Sequence, residues 1–538
     1  MRPLLVLCAV LGAASVAAQT APPFLYSVDA PEGQFGHIFG ARIAPVPDAD
    51  GDGGPDLLIG QPSSVQAHTG YAYLIAGATG AVLRTFAAPL GLESAGFGAG
   101  VAPAGDVDGD GVDDVAIGAP QLYLSEYSSR PGYVHLFSVA TGGLLQSWSA
   151  PEASPRPEAG DAFGETVTLV GDLDGDGVRE LAVGAPQRFC GQRRPRVDIF
   201  DVRTGARRLV LVPPDDQCDN EFGDAVALLT DLDDDGVREI AVSAPSQFVT
   251  RQDAGRVHVF NGATGVLIYS LEAPVPNKFG RFGTALALTG DADGDGHRDL
   301  LVGAPGDDPF DDANDYRGQV YLVSAASGSR LRTLASPLAD PSGRFGQSLS
   351  ADRDLDGDGV EDILAGLRTP NNRSAVYALS GATDGVLWSL VSPDADDATS
   401  GFGRDGVVSR DLNEDGRQEV VVPSRFEDGS TGYGVVYVFG EEAIVAQPPA
   451  PAGVAIRLDV ASPATTRAAL TIALPAAGEA RLTVHDALGR EVARPLARPL
   501  AAGRHALSLD VAGWAPGVYV VRLVVGAQAV ARPLVVVR

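Results

Sequence analysis

Short apolar runs separated by Gly, Pro, Asp and Asn fill the chain from Phe24 to about residue 440, and none keeps a helical period. One stretch sets the pattern: a run follows Phe97-Gly98, and others occupy 114–118, 132–139 and 144–149. Each predicts a strand. Ala-Thr-Gly, starting at Ala78, Ala140 and Ala263, supplies hairpin-turn chemistry between the third and fourth runs. Phe-Gly recurs at Phe35, Phe97, Phe163, Phe222, Phe282, Phe345 and Phe402. Gly-Ala-Pro or a relative closes the second run at Gly118, Gly184, Ser243 and Gly303, as Gly60-Gln61-Pro62 does in the first unit, and drifts in the last two. Seven four-stranded units without helices predict an all-β fold, a seven-bladed β-propeller. A linear β-solenoid is the alternative, and the chain's own segments decide against it. The last unit lacks a fourth strand, whereas residues 24–31 (FLYSVDAP) resemble fourth strands such as 266–274 (VLIYSLEAP). Pairing the two closes a ring and hides both edges.

An acidic loop follows each Phe-Gly. The loops supply Asp48, Asp50, Asp52 and Asp56; Asp106, Asp108, Asp110 and Asp114; Asp172, Asp174, Asp176 and Glu180; Asp231, Asp233, Asp235 and Glu239; Asp291, Asp293, Asp295 and Asp299; Asp354, Asp356, Asp358 and Asp362; and Asp411, Asn413, Asp415 and Glu419. Acids at positions 1, 3, 5 and 9 around a Gly at position 6 offer a hard cation many flexible oxygens. Crowded carboxylates repel one another without a counter-ion. Calcium fits this set better than magnesium, and better than zinc because no Cys or His is among the side-chain ligands. Up to seven Ca2+ ions are expected, the weakest in the seventh loop, where Asn413 replaces an acid.

Composition narrows the partners. The 538 residues are 45% apolar with 66 Gly and 38 Pro, ordinary for a turn-rich β protein. A net charge of −29 argues against nucleic acid and anionic membrane surfaces, and Lys278 as the only lysine argues against Schiff-base and phosphate-loop chemistry. Residues 1–18 read as a signal peptide: Arg2, an apolar run, then Val16-Ala17-Ala18. No transmembrane span is predicted downstream. Cys190 and Cys218 remain in the exported chain and are predicted to form one disulfide.

Phe-Gly, the nine-residue acidic loop and Gly-Ala-Pro together resemble the FG-GAP repeat of integrin α-subunit propellers and their bacterial relatives. The resemblance implies calcium in the loops between strands 1 and 2, and a protein or glycan ligand on the opposite face. Adhesion or recognition is thereby implied more than catalysis. The propeller is assigned to 22–445, a Pro-rich linker to 446–454, and a small immunoglobulin-like β-sandwich to 455–538. The stretches RLTVHDALGREV (481–492), AGRHALSL (502–509) and APGVYVVRL (515–523) resemble the C-terminal sorting domain of the type IX secretion system. That resemblance implies the type IX machinery as partner and a secreted or outer-surface location in a Gram-negative bacterium.

No catalytic motif is visible. His37, His68, His135, His258, His297, His485 and His505 lie alone, and no Gly-x-Ser-x-Gly elbow occurs. The chain reads as a binding module and not an enzyme; a secreted hydrolase or lyase acting on polysaccharide through scattered acids is the alternative. By strand parity, the loops after strand 2 lie opposite the calcium loops and carry the aromatic residues Tyr123, Tyr127, Phe189, Phe248, Phe310, Tyr316 and Phe426.

Overall fold

The computed structural model describes residues 21–31, 37–63, 69–90, 92, 96–120, 132–149, 162–186, 194–215, 217, 220–274, 276–307, 316–338, 343–368, 374–393, 401–425, 434–440, 457–460, 465–474, 478–485, 490–500, 503–525 and 528–537. The signal-peptide and linker segments, Phe35, Cys190 and Cys218 lie outside them. The chain divides into two compact units, Met1–Ala443 and Ile444–Arg538.

Among the described residues of the first unit are seven four-stranded antiparallel sheets and no helix. In the second sheet the strands are Val101–Gly105, Asp114–Ala119, Tyr133–Phe137 and Leu144–Ser149, paired in chain order. The second strand of each sheet is almost wholly buried, with a continuous apolar run, because it is covered on both faces. The outer strands alternate and face solvent on one side. The last sheet combines Val408–Arg410, Glu419–Arg425 and Gly434–Phe439 with Phe24–Asp29 from the other end of the chain. Phe24 packs edge-on against Tyr437 and Phe439, and the Tyr26 hydroxyl donates to the Gly77 carbonyl of the first sheet.

Each apolar core lies between two neighbouring sheets. Leu58 and Phe86 of the first sheet share one with Ile117 and Phe137 of the second, and the series continues to Leu412 and Val438 of the last, which pack with Ile59 and Tyr73 of the first. The first strands adjoin in the same order, and Arg42–Val46 also meets Val408–Arg410. They surround a central cavity of about 660 Å³ lined from all seven sheets. This arrangement is consistent with a β-propeller.

Phe-Gly and Gly-Ala-Pro are the joints of that arrangement. The glycine N–H of each Phe-Gly donates to the carbonyl of the residue that opens the same unit's Gly-Ala-Pro or its relative, as in Gly98 to Gly118 (2.9 Å) and Gly164 to Gly184 (3.0 Å). Gly98 and Gly164 both sit at φ +90°. A Cβ on Gly118 would come within 1.9 Å of the Gly164 carbonyl oxygen in the next unit, so the backbones of adjacent units touch there. The first unit corrects the sequence reading. Phe39-Gly40 takes this place, with Phe39 fully buried, Gly40 at φ +82°, and its N–H on the Gly60 carbonyl. In all seven units the joint phenylalanine then lies the same distance in sequence before the first loop aspartate, as Phe39 does before Asp48 and Phe97 before Asp106.

The second unit has two sheets. One holds Arg457–Val460, Arg467–Leu474 and Gly503–Asp510; the other orders Glu491–Leu500, Gly478–His485, Gly517–Val525 and Gln528–Val536. Leu470 and Ile472 of the first share one core with Leu482, Val484, Val521 and Leu534 of the second.

Removal of the N-terminal strand tests the closure. A chain beginning at Gly33 exposes the edge of Gly434–Phe439, and is expected to melt lower than the chain that keeps residues 21–32 and to associate as concentration rises. Equal melting and equal monodispersity would refute the closure.

Candidate metal centre

Each acidic loop joins the first strand of a sheet to the second, and all seven adopt one conformation. The position-1 aspartate accepts the N–H of the position-6 glycine at 2.7–3.0 Å in every copy, from Asp48 and Gly53 to Asp411 and Gly416. The position-9 acid accepts the N–H of position 2 at 2.5–2.9 Å, again in every copy. Because position 9 opens or directly precedes the buried second strand, Asp56, Asp114, Glu180, Glu239, Asp299, Asp362 and Glu419 are all buried, while most acids at positions 1, 3 and 5 stay in solvent. Burial pushes the carboxyls of Glu180, Glu239 and Glu419 up to about 7 and that of Asp114 up to about 6. The backbone N–H of Gly296 holds Asp291 below the ordinary carboxylate range.

The loops differ in how their carboxylates converge. Ligand atoms lie within 4.8 Å of one another for Asp48, Asp50 and Asp56; for Asp106, Asp108 and Asp114; for Asp172, Asp174 and Asp176; and for Asp291, Asp293 and Asp295. The fourth loop brings together all four of its acids, Asp231, Asp233, Asp235 and Glu239. Asp52 and Asp110 fall outside their groups, although they accept the N–H of Gly54 (3.0 Å) and Val112 (2.9 Å) as the position-5 aspartates of the other loops accept theirs. Asp354, Asp356, Asp358 and Asp362 of the sixth loop repeat these turn bonds, as do Asp411, Asn413, Asp415 and Glu419 of the seventh.

Side-chain length at position 9 decides what is left over. Aspartate there places its second oxygen on a backbone N–H at the end of the third strand: Asp56 on Gly77 (3.0 Å) and Asp362 on Gly381 (2.9 Å). Glutamate reaches further into the loop. Oε1 of Glu180 and Oε1 of Glu239 are buried and accept no hydrogen bond, and neither does Oδ1 of Asp231. A buried carboxylate oxygen without a donor is costly, and a cation in the loop would satisfy it. The donor set, all oxygen at these positions, fits calcium.

Two side chains that the sequence reading missed also reach the loops. Asn261 donates through Nδ2 to Asp233 (2.9 Å) and Asp235 (2.8 Å), its Oδ1 being occupied by the Thr264 N–H. Arg208 lies against the third loop, with Nε 3.3 Å from Asp174 and Nη1 3.7 Å from Glu180. Both flank the turn between the third and fourth strands, which the fold brings beside the loop although it lies well downstream in the chain.

Two of the buried histidines, His258 and His135, are tied into hydrogen-bonded pairs within their sheets. The Asp215 carboxylate accepts from Gln247 Nε2, whose Oε1 accepts from His258 Nε2 at 2.8 Å; His258 Nδ1 then accepts from the Ser270 hydroxyl at 2.7 Å. That chain fixes a neutral imidazole, and burial pulls its pKa down to about 4. His135 makes the matching bond to Ser147 two sheets earlier. Of the aromatic residues on the loops after strand 2, Phe248 and Tyr316 are described; Tyr123, Tyr127, Phe189, Phe310 and Phe426 lie outside the described residues. Phe248 is 55% exposed on a backbone pinned at both its N–H and C=O by Gln217. Tyr316 is half-buried beneath Arg344.

Four segments, 97–137, 163–196, 222–260 and 282–323, match the FG-GAP repeat. The chain is similar to integrin alpha-IIb of Homo sapiens, 32% identical over 303 residues, which is 53% of this chain and 27% of that protein. It is also similar to integrin alpha-4 of Xenopus laevis, 30% identical over 200 residues, 36% of this chain and 18% of that protein. The chain thus spans little more than a quarter of the length of the first of these relatives and less than a fifth of the second. A solved structure of PorZ, described as an essential bacterial surface component of the type-IX secretion system of Porphyromonas gingivalis, aligns at 13% identity with a TM-score of 0.42, covering 94% of this chain and 60% of that one.

Acid titration tests the buried imidazole. The folded value near 4 lies below the unfolded value of about 6.5, so the unfolded chain binds the extra proton between those limits and stability falls as pH drops through them. Between pH 7 and 4.5 the stability gap between the wild type and His258→Gln should narrow by about 2 kcal/mol in chemical denaturation. Titrations common to both proteins, the loop carboxylates included, cancel in this difference. A constant gap would contradict the assignment.

Proposed function

We propose that this protein is a calcium-loaded, seven-bladed propeller of the FG-GAP type, secreted or held at the outer cell surface, that acts as an adhesion or recognition module and not as an enzyme. The observation that carries the calcium reading is the fourth loop, where four carboxylates converge and buried oxygens of Asp231 and Glu239 lack a hydrogen-bond donor. Asp231, Asp233, Asp235 and Glu239 would hold that ion, and the corresponding residues of the other loops would hold theirs. The bound cation supplies positive charge that ties each strand 1–2 connection to the buried start of strand 2.

Similarity to integrin alpha chains supports recognition as the role. The ligand, a protein or glycan, is assigned to the end opposite the acidic loops. Antiparallel pairing sends the loop carrying Phe248 to that end, and an exposed ring on a pinned backbone suits a rigid contact. Export rests on residues 1–18 as signal peptide, and sorting by the type IX machinery on the resemblance of the tail. The domain limits follow: propeller 22–445, linker 446–454, and an immunoglobulin-like sorting sandwich 455–538. Cys190 and Cys218 are assigned to a disulfide in the exported protein.

Thermal melting in calcium and in EDTA tests the metal reading. Each ion present at 100 times its dissociation constant stabilises by about 2.7 kcal/mol, so the midpoint should rise clearly with calcium. Glu239→Gln should lose about one bound calcium, and should match or exceed the wild type in EDTA because a buried charge is gone. Identical midpoints with and without calcium, after verified metal removal, would exclude the reading.

Binding to a glycan and matrix-protein array tests the ligand face. Phe248→Ser should weaken the strongest signals several-fold while calcium-dependent melting stays unchanged. Retained binding in that variant, lost instead on altering the turns beside the acidic loops, would reverse the assignment.

A further inference from the structure

The outer strand of every sheet shifts register by one residue beside its acidic loop. The shift leaves one residue outside the pairing. In six sheets that residue is aliphatic: Leu25, Leu83, Leu145, Ile268, Leu331 and Leu387. In the third it is Arg208, between Arg207, paired with Phe200, and Leu209, paired with Ile199. Leu145 and Ile268 stay exposed, whereas in the last sheet the side chain lies toward the position-9 acid, since a Cβ built on Gly440 would meet both Leu25 and Glu419. Arg208 follows that direction. Its guanidinium ends 3.3 Å from Asp174 and 3.7 Å from Glu180, and its side chain is only 22% exposed.

We propose that Arg208 is a built-in counter-ion for the third loop, standing in for the divalent cation that the other loops require. A guanidinium near two of the four carboxylates cancels part of the charge that would attract calcium. It also supplies the neutralisation that lets the loop keep its shape without metal. The fourth loop is the contrast: the neutral amide of Asn261 bridges Asp233 and Asp235, satisfying oxygens but leaving the full negative charge for an ion. The third loop is therefore the weakest calcium site of the set, below the seventh, although its sequence is a complete acidic loop.

The inference rests on the calcium reading for its first arm and stands alone in its second. Equilibrium dialysis of the full exported chain with calcium, read by metal analysis, should show Arg208→Leu binding one more equivalent than the wild type, or one site at least tenfold tighter. Equal stoichiometry and affinity in two proteins that both bind calcium would overturn the competition. If neither binds calcium, the metal reading fails, and melting in EDTA still decides the counter-ion role. There Arg208→Leu should melt lower than wild type by about 2 °C, and Asp174→Asn should cost less in the Arg208→Leu background than alone, because the two charges act as a pair. Additive effects of the two substitutions in EDTA would refute the pairing.

Discussion

Contact of backbone on backbone between successive units governs the rest of the fold. At five of the seven joints the carbonyl of the Phe-Gly glycine presses on the glycine that opens the preceding unit's Gly-Ala-Pro or its relative, at a distance that excludes a side chain at Gly60, Gly118 or Gly303; Ser243 and Pro423 hold that place at the other two, against Gly283 and Gly40. The same Phe-Gly glycine donates its N–H within its own unit. Two sheets are locked at one point, and the phenylalanine beside it fills the space between them. Phe163 meets Phe200 edge-on at 6.1 Å, as Phe222 meets Phe260 at 5.9 Å. Fixing the joint fixes the start of the first strand, and with it the phase of the loop at the other end of that strand.

Electrostatics is layered on this frame. The second strand is buried on both faces, so an acid at its first residue is withdrawn from water whatever the loop does. Aspartate there is satisfied by two backbone donors, which makes it a strut between the loop and the end of the third strand. Glutamate spends one oxygen on the strut and carries the other into the loop. A single methylene thus separates loops whose inner acid is held by two backbone donors from those in which one of its oxygens is left without a donor, as in Glu180 and Glu239, or depends on a side-chain amide, as Glu419 does on Asn413.

The sequence made the local features legible and left the long-range ones hidden. Strand runs, turn chemistry and acidic loops are contiguous in the chain, so their order could be read directly, including the spare strand at 24–29. Phe35 misled because two Phe-Gly pairs stand four residues apart; the constant interval from the joint phenylalanine to the first loop aspartate picks out Phe39. Arg208 escaped notice for a different reason. Its partners lie some 30 residues away, and only the register shift of the outer strand turns it toward them. Strand-level patterns do not encode such shifts.

The two ends of the sheets differ in how far the seven units agree. The acidic loops are short, repeat one hydrogen-bond pattern, and differ only in side chains that adjust charge. At the opposite end the connections vary in length from sheet to sheet, and the described one in the fourth sheet is held by its own network of Asp215, Gln217 and Gln247 around an exposed Phe248. A uniform end is suited to a uniform ligand, an ion. A varied end, carried on a frame whose units are locked at the Phe-Gly glycines, can change its contacts without disturbing the locks, and variation is tolerated where the backbone is not part of the joint. On the function proposed above, recognition falls to the end where the units differ, and stability to the end and the joints where they are alike.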